Sequence, residues 1–173
     1  MKQQNLFTFF KNPAHTKATS KKYFGGALYK GKRKGRRPLD IKKPLHLVLR
    51  ADTAKSGSLL KRQIQIDNAL KKYAQKFQIK IYQKAIVSNH IHLLIKFPHR
   101  LNYVNFVRAF CGVCSKSIYI NWHLMPFTRI IEWGKDYLTT VNYVIQNELK
   151  ALNIIPYRDR IQNRSTTRRK AFS

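Results

Sequence analysis

Ile79-Lys80-Ile81-Tyr82-Gln83-Lys84-Ala85-Ile86-Val87-Ser88-Asn89-His90-Ile91-His92-Leu93-Leu94-Ile95-Lys96-Phe97 is the stretch whose reading decides the fold. Two strand-like runs, Ile79 to Ser88 and His90 to Phe97, meet at Ser88-Asn89, a pair suited to a turn, so the segment reads as a β-hairpin. In the second run Ile91, Leu93 and Ile95 take one face and His90 and His92 the other, because side chains alternate across a strand. The apolar face calls for covering helices. On the opposite face the two histidines project together, about 7 Å apart at the backbone, so that both imidazoles can converge on one ion.

The flanking chain supplies the rest of a sheet. Leu45-His46-Leu47-Val48-Leu49-Arg50 is apolar and bounded by Pro44 and by turn-forming residues 52–58, the signature of a first strand. Ser58 is suited to cap a helix over 59–77, where Leu59, Ile66, Leu70, Tyr73 and Phe77 recur on one side. Beyond the hairpin a second helix fits residues 101–120, with Val104, Val107, Cys111, Cys114 and Ile118 aligned. Met125-Pro126 interrupts it, Phe127 to Trp133 reads as a strand, and Gly134 precedes a helix from Asp136 to about Leu152. The order β-α-β-β-α-β plus a further helix is α+β, a ferredoxin-like split βαβ antiparallel sheet with an additional C-terminal helix. We expect one domain over 44–155, a basic arm over 1–43 and a basic tail over 156–173.

Charge narrows the partners. Lys and Arg number 35 against 7 Asp and Glu, a formal charge of +28. Such an excess repels itself in a compact state, so it points to a polyanion, with nucleic acid the first candidate. No run of about 18 apolar residues suggests a membrane span, and the start lacks the apolar core of a signal peptide, so an intracellular protein is expected. The arm holds 13 basic residues against one acid, densest at Lys30, Lys32, Arg33, Lys34, Arg36 and Arg37, candidates for phosphate contact. Tyr23, Phe24, Tyr29 and Tyr157 are candidates to stack on unpaired bases. Cys111 and Cys114 lack the second half of a zinc site and read as small apolar residues on a helix face.

A metal held by His90 and His92 needs further ligands, and the last helix offers them. Tyr143 and Asn147 stand four apart on one helical face, with Gln146 and Glu148 beside them. Tyr137 lies six positions before Tyr143, about 240° around the helix, so the two cannot face the same site. His46 and Arg50 share side-chain parity in the first strand, which the split βαβ topology pairs with the histidine strand. That places them at the border of the candidate site as DNA contacts.

Ser88-Asn89-His90-Ile91-His92-Leu93-Leu94-Ile95, followed about fifty residues later by Tyr143-Val144-Ile145-Gln146-Asn147, resembles the single-tyrosine HUH transposases of bacterial insertion sequences. It is closer still to the REP-associated tyrosine transposases, which share a basic lead-in to a strand like Pro44 to Arg50. The resemblance spans roughly residues 36–152. It implies that His90 and His92 coordinate Mg²⁺ or Mn²⁺, that Tyr143 attacks a DNA phosphodiester, and that a 5′-phosphotyrosine and a free 3′-hydroxyl result. By the family's spacing Asn147 is the third ligand, with Glu148 or Gln146 as alternatives. It further implies single-stranded or hairpin DNA as substrate, a monomer or homodimer, and a bacterial cytoplasmic, nucleoid-associated setting. The competing readings are a non-catalytic nucleic-acid-binding protein with a ferredoxin-like fold, and a decayed transposase that binds its hairpin without cutting.

Overall fold

Leu45, Leu47 and Leu49 on one strand and Ile91, Leu93 and Ile95 on another share a face and are buried together, and the rest of the fold is arranged around them. The structure, a computed structural model, describes residues 24–26, 36–123 and 125–156. Its strands are β1 (Phe24–Gly25), β2 (Leu45–Arg50), β3 (Lys80–Ile86), β4 (His90–Lys96) and β5 (Phe127–Ile130). Its helices are α1 (Thr53–Ser56), α2 (Gln63–Lys76), α3 (Arg100–Ser117) and α4 (Lys135–Ala151), and a 3₁₀ turn (Leu59–Arg62) leads into α2. The strands form one sheet in the order β1-β5-β2-β4-β3, every pair antiparallel. The four strands β5-β2-β4-β3 are the expected split βαβ arrangement, and α4 is the expected additional helix.

Helices α2 and α3 cover the Leu and Ile face, contributing Ile66 and Leu70 from one and Phe106, Phe110 and Cys114 from the other. Full burial of each such apolar side chain contributes roughly 1.5–3 kcal/mol, so this layer dominates the stability of the domain. Helix α4 crosses the opposite face against β3 and β4. Val48, Ala85, Leu94 and Val144 are buried there, apart from the main core cluster. The domain therefore has three layers, and the histidine face lies under α4. No described helix is long and apolar enough to cross a membrane.

Several expectations are corrected in detail. The buried stripe of α3 is Tyr103, Phe106, Phe110 and Cys114, with Val104, Val107 and Cys111 only partly buried at its edge. Larger aromatic rings fill the space under the sheet better than the valines one position away. Ser58 makes no side-chain cap bond, and the 3₁₀ turn stands where the first helical turn was expected. Asp52 instead caps α1, its carboxylate accepting from the Ala54 N–H at 3.2 Å. Strand β5 stops at Ile130, after which the Ile131 N–H donates to Pro44 O at 2.9 Å.

The arm contributes to the sheet. Phe24–Gly25 pairs with β5 as an edge strand, and a Cβ added to Gly25 would stand 2.5 Å from Thr128 Oγ1 and 2.9 Å from Arg37 Cγ. Only glycine permits that approach. The Gly25-Gly26 pair is thus where the arm closes onto the sheet.

Candidate active site

Strand register builds the site. In the β2–β4 pair Val48 stands opposite His92, Arg50 opposite His90 and His46 opposite Leu94, so the three histidines and Arg50 share the face beneath α4. His46 and His92 are fully buried and His90 is half-buried at the end of its strand. Their rings form a chain. His46 Nε2 lies 3.0 Å from His92 Nδ1, and His90 Nε2 lies 2.7 Å from His92 Nε2. At the outer end His90 Nδ1–H donates to Asn89 Oδ1 at 2.5 Å, which leaves the His90 Nε2 lone pair directed inward.

All three rings are neutral near pH 7. Burial, then the positive Arg129 and then His90, lower His46 to about 3. Burial and the Arg50 guanidinium lower His90 to about 4. Burial, with His90 and His46 beside it, holds His92 well below the ordinary histidine range. Neutral imidazole is the form that can ligate a cation.

Tyr143 of α4 completes the cluster. Its ring meets His92 edge-on with centroids 5.4 Å apart and meets His46 edge-on at 6.0 Å. Helix α4 is held in place from its start. Asp136 pairs with Arg129 of β5 through its Oδ1, and its Oδ2 accepts the Glu132 N–H at 3.1 Å. Gly134, with φ of 88°, turns the chain from β5 into the helix. Tyr137 turns away as its helical angle requires, packing on Tyr82 and Trp133.

The other candidates divide clearly. Asn147 stands one turn beyond Tyr143, its Nδ2 donating to the Tyr143 carbonyl at 2.7 Å. Glu148 is directed to β3, where Gln83 Nε2 donates to Glu148 Oε2 at 3.3 Å, and Gln146 is exposed. Among the described residues no group of three or more His, Cys, Asp or Glu gathers in a metal-holding arrangement. His46, expected at a DNA-facing border, is instead fully buried, because α4 lies over that part of the sheet. Arg50 does stand at the border, opposite His90. Arg37 is tied into the fold, its Nη1 donating to Pro126 O at 2.5 Å and Thr128 Oγ1 at 3.2 Å, whereas Arg36 is exposed. Lys30, Lys32, Arg33 and Lys34, with Tyr23, Tyr29 and Tyr157, lie outside the described residues.

Two members of the cluster escaped the sequence reading in their present roles. Asn89 reads in sequence as a turn residue, and its place directly before His90 is the local signal of its second role. The contact of His46 with His92 had no local signal, since it depends on the register of two strands 46 residues apart. Cys111 and Cys114 are free thiols on the core side of α3, pushed up to about 12 by burial and, for Cys111, by its neighbour Cys114.

The His90–His92 nitrogen pair has a spacing compatible with two ligands of one divalent cation. Two ligand atoms bound at about 2.1 Å and at right angles stand about 3 Å apart, close to the His90–His92 nitrogen separation. A pair of neutral imidazole nitrogens is chemically suited to the borderline first-row ions.

The fold and this cluster define a ferredoxin-like domain whose C-terminal helix lays a tyrosine across a strand-borne histidine pair. The chain belongs to the IS200-like transposase family, whose model matches residues 42–149. It is thus a transposase, an enzyme of DNA cleavage and rejoining. Its fold is similar to that of a solved REP-associated tyrosine transposase bound to a REP hairpin. That match has a TM-score of 0.54 at 20% identity and covers 68% of this chain and 73% of the other. A chain described as a transposase from Deinococcus radiodurans also matches, with a TM-score of 0.41 at 16% identity, over 67% of this chain and 97% of the other. Among curated proteins none matches.

Proposed function

We propose that this transposase is a metal-dependent single-stranded DNA endonuclease and strand transferase that acts on hairpin-containing DNA through a 5′-phosphotyrosine intermediate. The observation that carries the proposal is the edge-on contact of Tyr143 with His92, whose Nε2 lies 2.7 Å from His90 Nε2. His90 and His92 would hold Mg²⁺ or Mn²⁺, with the Asn147 amide oxygen as the protein oxygen donor. Glu148, engaged by Gln83, and the exposed Gln146 are the alternatives. When bound, the cation offsets negative charge on the phosphate oxygens and favours the phenolate form of a nearby tyrosine.

The chain's own residues perform the remaining work. The Tyr143 oxygen attacks phosphorus, a Tyr O–P bond forms and the P–O3′ bond breaks. The phenol gives up its proton, and the leaving 3′ oxygen takes one up. Rejoining is the reverse, with a 3′-hydroxyl attacking the phosphotyrosine. The phosphodiester energy is conserved in the covalent link, so no nucleotide cofactor is needed. Arg50, opposite His90 in the strand register, would receive a phosphate at the rim, and Arg36 with the cluster Lys30, Lys32, Arg33 and Lys34 would add backbone contacts.

Hairpin DNA is the substrate we favour because the relative of like fold is described as bound to a REP hairpin. The test is incubation with a labelled hairpin carrying single-stranded flanks, with Mg²⁺ or Mn²⁺, and detection of a covalent protein–DNA adduct. We expect an adduct that Tyr143→Phe removes and Tyr137→Phe leaves intact. An adduct that survives in Tyr143→Phe would refute the nucleophile. Metal-independent binding with no adduct would favour a non-catalytic binder or a decayed transposase.

A further inference from the structure

Helix α4 carries two tyrosines, and Tyr137 is not part of the histidine cluster. At the start of the helix Tyr137 packs edge-on against Tyr82, with centroids 5.7 Å apart, and tilted against Trp133 at 5.1 Å; Tyr82 meets Trp133 edge-on at 5.9 Å. Tyr82 sits at the irregularity in β3 where the register with β4 shifts between Ile81 and Gln83. A bulge of this kind re-aims one side chain without ending the strand. Trp133 is 49% exposed, yet its indole is fixed, since Nε1–H donates to Lys42 O at 3.1 Å. Two lysines complete the group. Lys80 Nζ lies 5.2 Å from the Tyr82 ring centre and Lys96 Nζ lies 5.9 Å from that of Trp133.

An indole left half in water, as Trp133 is, adds little as a helix anchor alone, since burial of apolar area is what would stabilise the contact. Its chemistry matches another task. Rings that meet edge to face cover one another only in part, and flexible lysines lying over the Tyr82 and Trp133 rings supply charge complementary to a phosphate chain. A base presents a flat π-face of any sequence and its backbone a negative charge every step, which is the partner such a platform suits. Duplex DNA does not fit, because its bases are already stacked.

We infer that Trp133, Tyr82 and Tyr137, flanked by Lys80 and Lys96, form a second nucleic-acid site that stacks unpaired bases of a single DNA strand. The inference rests on the DNA-processing reading above and extends it to a surface outside the tyrosine–histidine cluster. Lys96 and His92 lie on the same face of β4, about 13 Å apart along the strand. Tyr137 and Tyr143 are about 9 Å apart along α4. The platform thus stands four residues along β4 and six along α4 from the Tyr143–His92 cluster, a span suited to a short unpaired segment beside the hairpin.

The test uses the full chain and a hairpin-free oligothymidylate of about 12 nucleotides, with fluorescence and anisotropy as readouts. Tryptophan occurs twice in the chain, and Trp122 packs against the core with its Nε1–H on Cys111 O. Quenching by the oligonucleotide should therefore come from Trp133 and vanish in Trp133→Phe. Trp133→Leu should weaken single-strand binding about tenfold and leave duplex binding unchanged, whereas Trp133→Phe should retain most of the affinity. Lys96→Gln should reduce the salt slope of binding by about one. Should the leucine variant fail to fold, the quenching and the phenylalanine variant decide the matter. Absent quenching together with unchanged affinity in a folded Trp133→Leu would overturn the platform, and an adduct still formed on the hairpin would leave the nuclease chemistry standing. Conversely, quenching in a protein that forms no adduct would keep the platform and remove the chemistry.

Discussion

His46 Nε2 lies 3.0 Å from His92 Nδ1, and that contact governs which nitrogen of His92 carries a proton. If His46 donates, His92 Nδ1 accepts and its Nε2–H points at His90, which closes the chain without a metal. With His92 Nδ1–H donating to His46, His92 Nε2 presents a lone pair toward that of His90, the arrangement a cation requires. In that arrangement His46 would act as a positioning residue, through His92. His46→Ala should weaken Mn²⁺ binding about 10- to 100-fold, measured by calorimetry, with hairpin binding little changed. His46→Gln, whose amide oxygen can still accept from Nδ1–H, should recover part of the loss. Equal metal affinity in His46→Ala and the parent would refute the role.

Asp136 fastens the start of α4 to the sheet through Arg129, which is only 7% exposed, and through the Glu132 amide. Removing one member of a buried ion pair is far more damaging than the pair is stabilising, because the remaining charge stays desolvated. Asp136→Asn should therefore destabilise the domain by about 3 kcal/mol, read from urea unfolding. Adduct formation should fall further than the loss of folded protein explains, since the tyrosine helix is what loosens.

Acid should unfold the metal-free protein through its histidines. Their folded pKa values lie below the ordinary 6.5, so the unfolded chain binds more protons as pH falls. The stability they contribute is complete above pH 6.5. It declines as pH falls toward about 4 for His90 and about 3 for His46. Urea midpoints in the presence of chelator, compared between pH 7.5 and 5 as points about either side of 6.5, should drop on acidification. The drop should be smaller in His46→Gln; an identical slope would contradict the assignment of this titration to the buried cluster.

Chelation should separate binding from cleavage. Lysine and arginine contacts to phosphate do not need the cation, so EDTA should abolish the adduct while hairpin retention in a gel remains. Mn²⁺ should restore cleavage at lower concentration than Mg²⁺, because two of the proposed donors are imidazole nitrogens, which the harder and more tightly hydrated Mg²⁺ takes less readily. Restoration by Mg²⁺ at the lower concentration would count against the histidine pair as ligands.

Much of this protein was legible in local pattern. The alternation Ile91, Leu93, Ile95 against His90 and His92 is a strand property, and the four-residue spacing of Tyr143 and Asn147 is a helix property; both survive folding because each depends on a single element's period. The phase of α3 was less legible, since Val104 and Val107 satisfy the same period as Tyr103 and Phe106, and only the volume under the sheet chooses between them. The edge strand Phe24–Gly25 was hidden by its length of two residues.

By itself the sequence determined the order of the four longer strands and the three long helices, the core-facing set of the hairpin and the polyanion preference, because period and charge are additive along a chain. Tertiary structure alone decided that α4 covers the histidine face, that His46 touches His92 rather than DNA, and that Glu148 turns to Gln83. These depend on the register and stacking of segments far apart in sequence. Contacts of that kind have no local signature, since each partner satisfies its own element's pattern equally well without the other.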